Sequence, residues 1–123
     1  MNSSLNNRVY KEISEFLDAV NSMDKELLKS RFNVSEPILE EICESLEDYF
    51  GEKSSVGLAP IEKAFSGKKG SRPYIDIFEM DGDKSWGAEC VLWVGGKATE
   101  PILHVELLGT NDGLNLKYKY IGS

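Results

Sequence analysis

Four apolar segments in the C-terminal half of the chain constrain its fold more than any other feature. They read YIDIFEM, WGAECVLWV, PILHVELLG and LNLKYKYI, and only short polar breaks separate them. Apolar and polar residues alternate through much of each segment, as they do in half-buried strands. The breaks contain DG, GG and NDG, which commonly connect the strands of β-hairpins. We therefore predict an antiparallel meander with strands at about 74–80, 86–94, 101–109 and 114–121.

The N-terminal half has the periodicity of amphipathic helices. Apolar residues recur every three or four positions over 4–23, 24–32 and 36–50. Asp24 and Ser35 are suitable N-caps for the second and third helices, and Gly51 is a suitable end for the third. Residues 51–73 are predicted to form a loop that contains one short helix or edge strand. The whole chain, 1–123, is predicted to be a single α+β domain with the helices packed on one face of the meander.

The hairpin turns predict which strand residues share a face. A turn at Asp112 and Gly113 places Leu107 opposite Tyr118 and Val105 opposite Tyr120. The same parity places Cys90 or Ala88 beside Leu103. In the first hairpin it places Ile75 and Ile77 beside Trp86 and Ala88. The predicted core face comprises Ile75, Ile77, Trp86, Ala88, Cys90, Leu92, Val94, Leu103, Val105, Leu107, Leu116, Tyr118 and Tyr120. The opposite, mixed face comprises Asp76, Phe78, Met80, Glu89, Val91, Trp93, Ile102, His104, Glu106, Leu108, Lys117, Lys119 and Ile121.

The charge balance bears on the choice of partner. Fourteen basic and 21 acidic residues give a formal net charge of −7. Such a chain repels phosphate backbones and anionic membranes and attracts basic surfaces. We therefore expect a basic protein partner, with no direct nucleic acid and no membrane. The absence of a signal-like apolar segment after Met1, together with only two cysteines, predicts a cytoplasmic location.

One group of residues on the mixed face suggests chemistry. Asp76, Glu89, His104 and Glu106 are predicted to lie on neighbouring strands, and a histidine among carboxylates can bind a metal or transfer protons. Cross-strand ion pairs, such as Glu106 with Lys119, are the ordinary alternative. A single histidine excludes multi-histidine zinc sites. We predict no catalytic residue, no metal and no cofactor, and therefore no enzyme.

Two surfaces are better suited to binding a protein. The mixed face offers aromatic anchors within a rim of carboxylates, a composition typical of interfaces. Its predicted partner-binding residues are Asp76, Phe78, Glu89, Trp93 and Glu106. The exposed side of the third helix offers a second candidate patch, Glu40, Glu44 and Glu47.

Helices followed by a meander, with the hairpin YIDIFEMDGDKSWGAECVLW, resemble the cystatin-like and nuclear transport factor two-like folds. The resemblance implies a curled sheet. Members of that group include ligand-pocket enzymes, protein-binding domains and bacterial immunity proteins. A cone-shaped small-molecule binder or enzyme is therefore one alternative, with its pocket near Tyr118, Tyr120 and Trp86.

A small, acidic chain without catalytic motifs also resembles the bacterial immunity proteins that neutralise toxins of contact-dependent inhibition systems. This resemblance implies that the chain binds a cognate toxin, often a basic nuclease, and blocks it by stoichiometric contact. A regulatory or adaptor domain is the second alternative.

Overall fold

A computed structural model describes residues 3–51, 55–81, 84–111 and 113–122. Four helices precede six strands in the chain. They are α1 (Ser3–Ser22), α2 (Lys25–Phe32), α3 (Glu36–Phe50), α4 (Ile61–Ala64), β1 (Lys68–Lys69), β2 (Arg72–Pro73), β3 (Ile75–Asp81), β4 (Ser85–Val94), β5 (Lys97–Thr110) and β6 (Gly113–Gly122). This arrangement confirms the predicted α+β class. The predicted loop at 51–73 contains both a short helix and a two-stranded hairpin.

Local sequence signals set the helix ends. The Asp24 carboxylate accepts a hydrogen bond from the Leu27 amide at 3.1 Å, which satisfies one of the free donors at the start of α2. Asn33 ends α2 in the left-handed conformation, and Gly51 ends α3 with a positive φ. Ser35 occupies the N-cap position of α3, but its side chain makes no capping hydrogen bond.

The four long strands form one antiparallel sheet in the order β3-β4-β5-β6. Cys90 pairs with Leu103 as predicted. The pairing of β3 with β4 differs from the prediction for Ile75, which lies opposite Cys90, whereas Ile77 lies opposite Ala88, one of its predicted neighbours. An even shift in register leaves each side chain on its predicted face.

The last hairpin departs from the prediction in two ways. Leu107 pairs with Leu116 and Val105 with Tyr118, so both predicted pairs are wrong by two positions. A bulge in β6 between Tyr118 and Tyr120 then places Tyr120 opposite His104. Because a bulge adds one unpaired residue, it reverses the faces beyond it. Tyr120 therefore lies on the mixed face and Ile121 in the core, the reverse of the prediction.

The hydrophobic core lies between the helices and one face of the sheet. Phe16 of α1 is fully buried, packs edge to face on Phe32 of α2 at 5.4 Å, and stacks on Tyr118 of β6 at 6.2 Å. Burial of an aromatic side chain of this size contributes about 1.5–3 kcal/mol. These contacts join α1, α2 and the sheet, and they leave the opposite face of the sheet, here called the outer face, free of helices.

Candidate partner-binding surfaces

The register arranges the outer face in three rows. Across the sheet, the first row reads Asp76, Glu89, His104 and Tyr120; the second reads Phe78, Gly87, Glu106 and Lys117; the third contains Ser85, Leu108 and Asn115. Met80 lies on β3 at the end of this face. Four of the five predicted partner-binding residues thus occupy the first two rows, and the fifth, Trp93, lies at the other end of β4.

Glu89 is the centre of the first row and is already engaged within the chain. Its Oε1 accepts a hydrogen bond from Arg72 Nη1 at 2.7 Å, and its Oε2 lies 3.7 Å from His104 Nδ1. Arg72 comes from the short hairpin β1–β2, distant in sequence from Glu89. The carboxylate therefore has a local counter-charge, which reduces its value as a site for a basic partner.

His104 is held between this ion pair and an aromatic ring. Its imidazole stacks on Tyr120 with ring centroids 4.1 Å apart and planes 12° from parallel. Burial lowers the pKa of His104; the Glu89 charge opposes this shift and the Arg72 charge adds to it. The histidine is therefore mainly neutral at neutral pH, and stacking suits its neutral ring.

Glu106 is also paired within the sheet. Its Oε2 lies 3.2 Å from Lys119 Nζ, as the sequence predicts. Within the described ranges, no group of three or more histidine, cysteine or acidic side chains is arranged to hold a metal ion. Glu89 and Glu106 thus have their charges paired within the outer face, whereas Asp76 forms no ion pair with a described residue.

The hairpin β1–β2 covers one end of the outer face. Lys69 Nζ donates to the Thr99 carbonyl at 2.9 Å, while Arg72 reaches Glu89, so the hairpin extends from β4 to β5. Val91 and Ile102, which face this side, are only 1% and 8% exposed. The sequence signal for this hairpin, KKGSR, is typical of a surface loop and gives no indication of its docking site.

Trp93 is covered at the same end. Its ring meets Tyr74 edge to face at 5.1 Å, and its backbone exchanges hydrogen bonds of 2.9 Å with Gly57. Its indole N–H is buried, without a hydrogen-bond partner among the described residues. Trp93 is therefore partly covered by its own chain, and its predicted role as an anchor for a partner stays a prediction.

Phe78 is the exposed anchor of the outer face. Phe78, Met80 and Leu108 are 42%, 52% and 51% exposed and form an apolar patch at the end away from the hairpin. A Cβ atom at Gly87 would collide with the Phe78 ring, so the ring lies directly over the β4 backbone. The alternation of β5 places Leu108 on this face, and Met80 lies at the bulge between Glu79 and Asp81. The exposure of both depends on which end the hairpin covers.

The predicted patch on α3 differs from the outer face of the sheet in the ion pairing of its carboxylates. Glu40, Glu44 and Glu47 are exposed at successive turns of the helix, and none has an ion-pair partner in the described part of the chain. Glu36, at the start of α3, is paired with Lys25 at 3.5 Å. Glu40, Glu44 and Glu47 thus have no counter-charge among the described residues.

An open cleft runs between α3 and the C-terminal end of α1. Its main part has a volume of about 730 Å³, and a smaller part of about 260 Å³ adjoins it at Met23 and Cys43. Apolar side chains form much of its lining, namely Val20, Met23, Leu39, Leu46 and Phe50. Glu40 and Glu47 lie on its rim. Sequence periodicity identifies the α3 stripe but not this cleft, which depends on how the helices pack.

The cysteines have no sign of reactivity. Burial raises the pKa of Cys43, and the charge of Glu47 raises it further. Cys43 lies 3.9 Å from the Met23 sulfur in the cleft and is partly exposed. Complete burial strongly raises the pKa of Cys90, which lies in the core as predicted.

The pocket predicted near Tyr118, Tyr120 and Trp86 is not formed by these residues together. Tyr118 packs on Phe16 in the core, whereas Tyr120 lies on the outer face beside His104. The bulge in β6 is the physical reason, because it turns Tyr120 away from the helices. The main cleft lies instead between α1 and α3.

Comparisons with known proteins assign no function to the chain. No family model, no curated protein and no solved structure matches the chain. Among the residues that the structure describes, no helix combines the length and the apolar character that crossing a bilayer requires.

Proposed function

We propose that this chain is an immunity-type inhibitor that binds a basic toxin protein, such as a nuclease, and blocks it by stoichiometric contact without catalysis. The observation that carries the proposal is the row of exposed carboxylates, Glu40, Glu44 and Glu47, which have no ion-pair partner among the described residues and lie beside the open cleft of α3. Unpaired surface charge is available to a partner, whereas charge already neutralised within the chain is not.

The contrast with the sheet supports α3 as the main electrostatic surface. Glu89 and Glu106 each have a cation within 3.2 Å, at Arg72 and Lys119. A basic partner has to displace these cations before it can use the carboxylates, and the exchange gains little energy. The α3 carboxylates require no such exchange, so they attract a basic surface at long range and increase the association rate.

The cleft beside these carboxylates also has a lining that suits lysine and arginine side chains. Lysine and arginine side chains bury an aliphatic stem and keep a charged head at the surface. Leu39, Leu46 and Phe50 offer the apolar contact for such a stem, and Glu40 and Glu47 lie where the head emerges. Met23, with an exposed thioether, adapts readily to different partner side chains.

The mode of inhibition follows from the chemistry of the partner. A nuclease active site has to attract a polyanionic substrate, so basic side chains surround it. A protein that presents several carboxylates at fixed spacing competes for the same side chains and excludes the substrate sterically. No bond is made or broken in this mechanism.

Reconstitution with the protein encoded beside this chain tests the proposal. We expect the two proteins to co-purify at one to one, and the partner's toxic activity to fall linearly to zero at equimolar inhibitor. A complex that forms while the partner keeps its activity would instead indicate the adaptor function. Failure to form a complex would refute the proposal.

A further inference from the structure

Strand β3 is an edge strand, with β4 as its one partner in the described sheet. Its exposed end carries Phe78, Glu79 and Met80. An exposed strand edge offers unpaired N–H and C=O groups to another extended segment. The question is which backbone groups of β3 are free and what kind of segment they suit.

One hydrogen bond establishes the direction of the backbone groups. The Tyr74 carbonyl accepts from the Val91 amide of β4 at 2.8 Å. In an antiparallel pair, alternate residues point their backbone groups to the same side. Asp76 and Phe78 therefore bond toward β4, and the N–H and C=O groups of Ile77 and Glu79 point away from the sheet.

The two edges of the sheet differ in charge. On the opposite edge, β6 carries Lys117 and Lys119, and lysine is a residue that discourages pairing with further strands. Residues 75–80 of β3 contain no basic residue and two carboxylates, Asp76 and Glu79. Neither carboxylate forms an ion pair with any residue that the structure describes.

We propose that the β3 edge binds an extended basic segment of a partner protein by strand addition. The partner's backbone pairs with Ile77 and Glu79, its apolar side chains contact Phe78 and Met80, and its lysine or arginine side chains meet Asp76 and Glu79. Phe78 is held over Gly87, so the aromatic contact is in place before binding.

This surface is separate from the α3 surface of the proposed function, so either one can fail alone. A second copy of the chain is a less suitable occupant, because each copy carries a net charge of −7 and the copies repel one another. Pairing of β3 with β6 of another copy would also leave both ends open and produce polymers.

The test uses the full chain labelled with ¹⁵N and a short, end-blocked peptide that contains Lys-Val-Thr-Lys, whose antiparallel pairing puts lysine opposite Glu79, valine opposite Phe78 and lysine opposite Asp76. We expect the peptide to shift the amide signals of Ile77 and Glu79 and to slow their hydrogen exchange. The first control is the same peptide with alternate backbone nitrogens methylated, which keeps the charge and removes the pairing donors. We expect this control to leave the exchange of both amides unchanged.

Variants of the chain complete the test. Asp76→Lys with Glu79→Lys is expected to weaken peptide binding about tenfold, because two cross-strand charge pairs become repulsive. Asp18→Lys with Glu62→Lys, which changes the net charge equally at exposed positions outside both surfaces, is expected to leave it unchanged. The proposal is overturned if the methylated peptide protects the amides equally, if shifts occur at α3 and not at β3, if no shift occurs, or if sedimentation shows that copies of the chain occupy the edge.

Discussion

The aromatic ring of Phe78 lies in the space that a side chain at Gly87 would occupy. Phe78 and Gly87 are directly paired on adjacent strands, and the ring edge is closer to the ideal Cβ position of Gly87 than van der Waals contact allows. Glycine within a strand often marks such a close approach. The missing side chain at Gly87 thereby lets the Phe78 ring lie against the β4 backbone on an exposed face.

Replacement of this glycine is therefore expected to destabilise the chain. For Gly87→Ala we expect the free energy of unfolding to fall by about 1 kcal/mol, at the lower end for overpacking because Phe78 can rotate into solvent. Urea denaturation measures this change. In the Phe78→Ala variant, Gly87→Ala is expected to reduce the free energy of unfolding by less. An equal reduction with and without the Phe78 ring would contradict the close contact.

Asn21 anchors the segment that precedes α4. Its side-chain amide donates to the Val56 carbonyl at 2.8 Å, and its carbonyl accepts from the Val56 amide at 3.0 Å. Asn21→Ala leaves both backbone groups without these partners, at a cost of about 1–3 kcal/mol in the free energy of unfolding. Denaturant unfolding tests this, with Asp18→Ala as the exposed control on α1. A cost for Asn21→Ala no larger than for the control would show that the anchor contributes nothing.

The titration of His104 reports on the docking of the β1–β2 hairpin. His104 is the one histidine in the chain, so its NMR signals are unambiguous. We expect its pKa to lie below the ordinary value of 6.5, because burial disfavours the charged ring. Arg72→Ala should raise this pKa and Glu89→Gln should lower it further. Shifts in the same direction in both variants would rule out the proposed arrangement of charges.

The lowered pKa also predicts how stability depends on pH. A base with a depressed pKa binds fewer protons in the folded state than in the unfolded state. Its contribution to stability is present above about pH 6.5 and declines as the pH falls toward the folded-state pKa. Replacement His104→Gln should reduce this decline in thermal unfolding experiments. An unchanged pH profile would show that other groups cause it.

Periodicity predicts those parts of the fold that repeat along the chain. The helices and the order of the strands follow from spacing, and the side-chain faces persist through Tyr118 because the errors in register were even. The bulge near Lys119 gives no periodic signal, so the faces of Tyr120 and Ile121 were predicted wrongly. Such a local irregularity depends on the packing of the neighbouring strands.

The candidate surfaces were predictable only in part. The sequence identifies the α3 stripe and places Phe78, Glu89 and Glu106 on one face. The pairing of Glu89 with Arg72 joins residues from separate elements through a docked hairpin, which local patterns do not reveal. This contact neutralises Glu89, whereas Glu40, Glu44 and Glu47 have no ion-pair partner among the described residues.

The central claim is that the α3 carboxylates control the binding of a basic partner. Calorimetric titration of the neighbour-encoded protein with a triple variant, Glu40→Lys, Glu44→Lys and Glu47→Lys, tests it most directly. The control is Asp18→Lys, Glu62→Lys and Glu100→Lys, which changes the net charge equally at exposed positions elsewhere. We predict that the α3 variant binds about 100-fold more weakly while the control stays close to the wild type. Equal loss in both variants, or no loss in the α3 variant, would contradict the account.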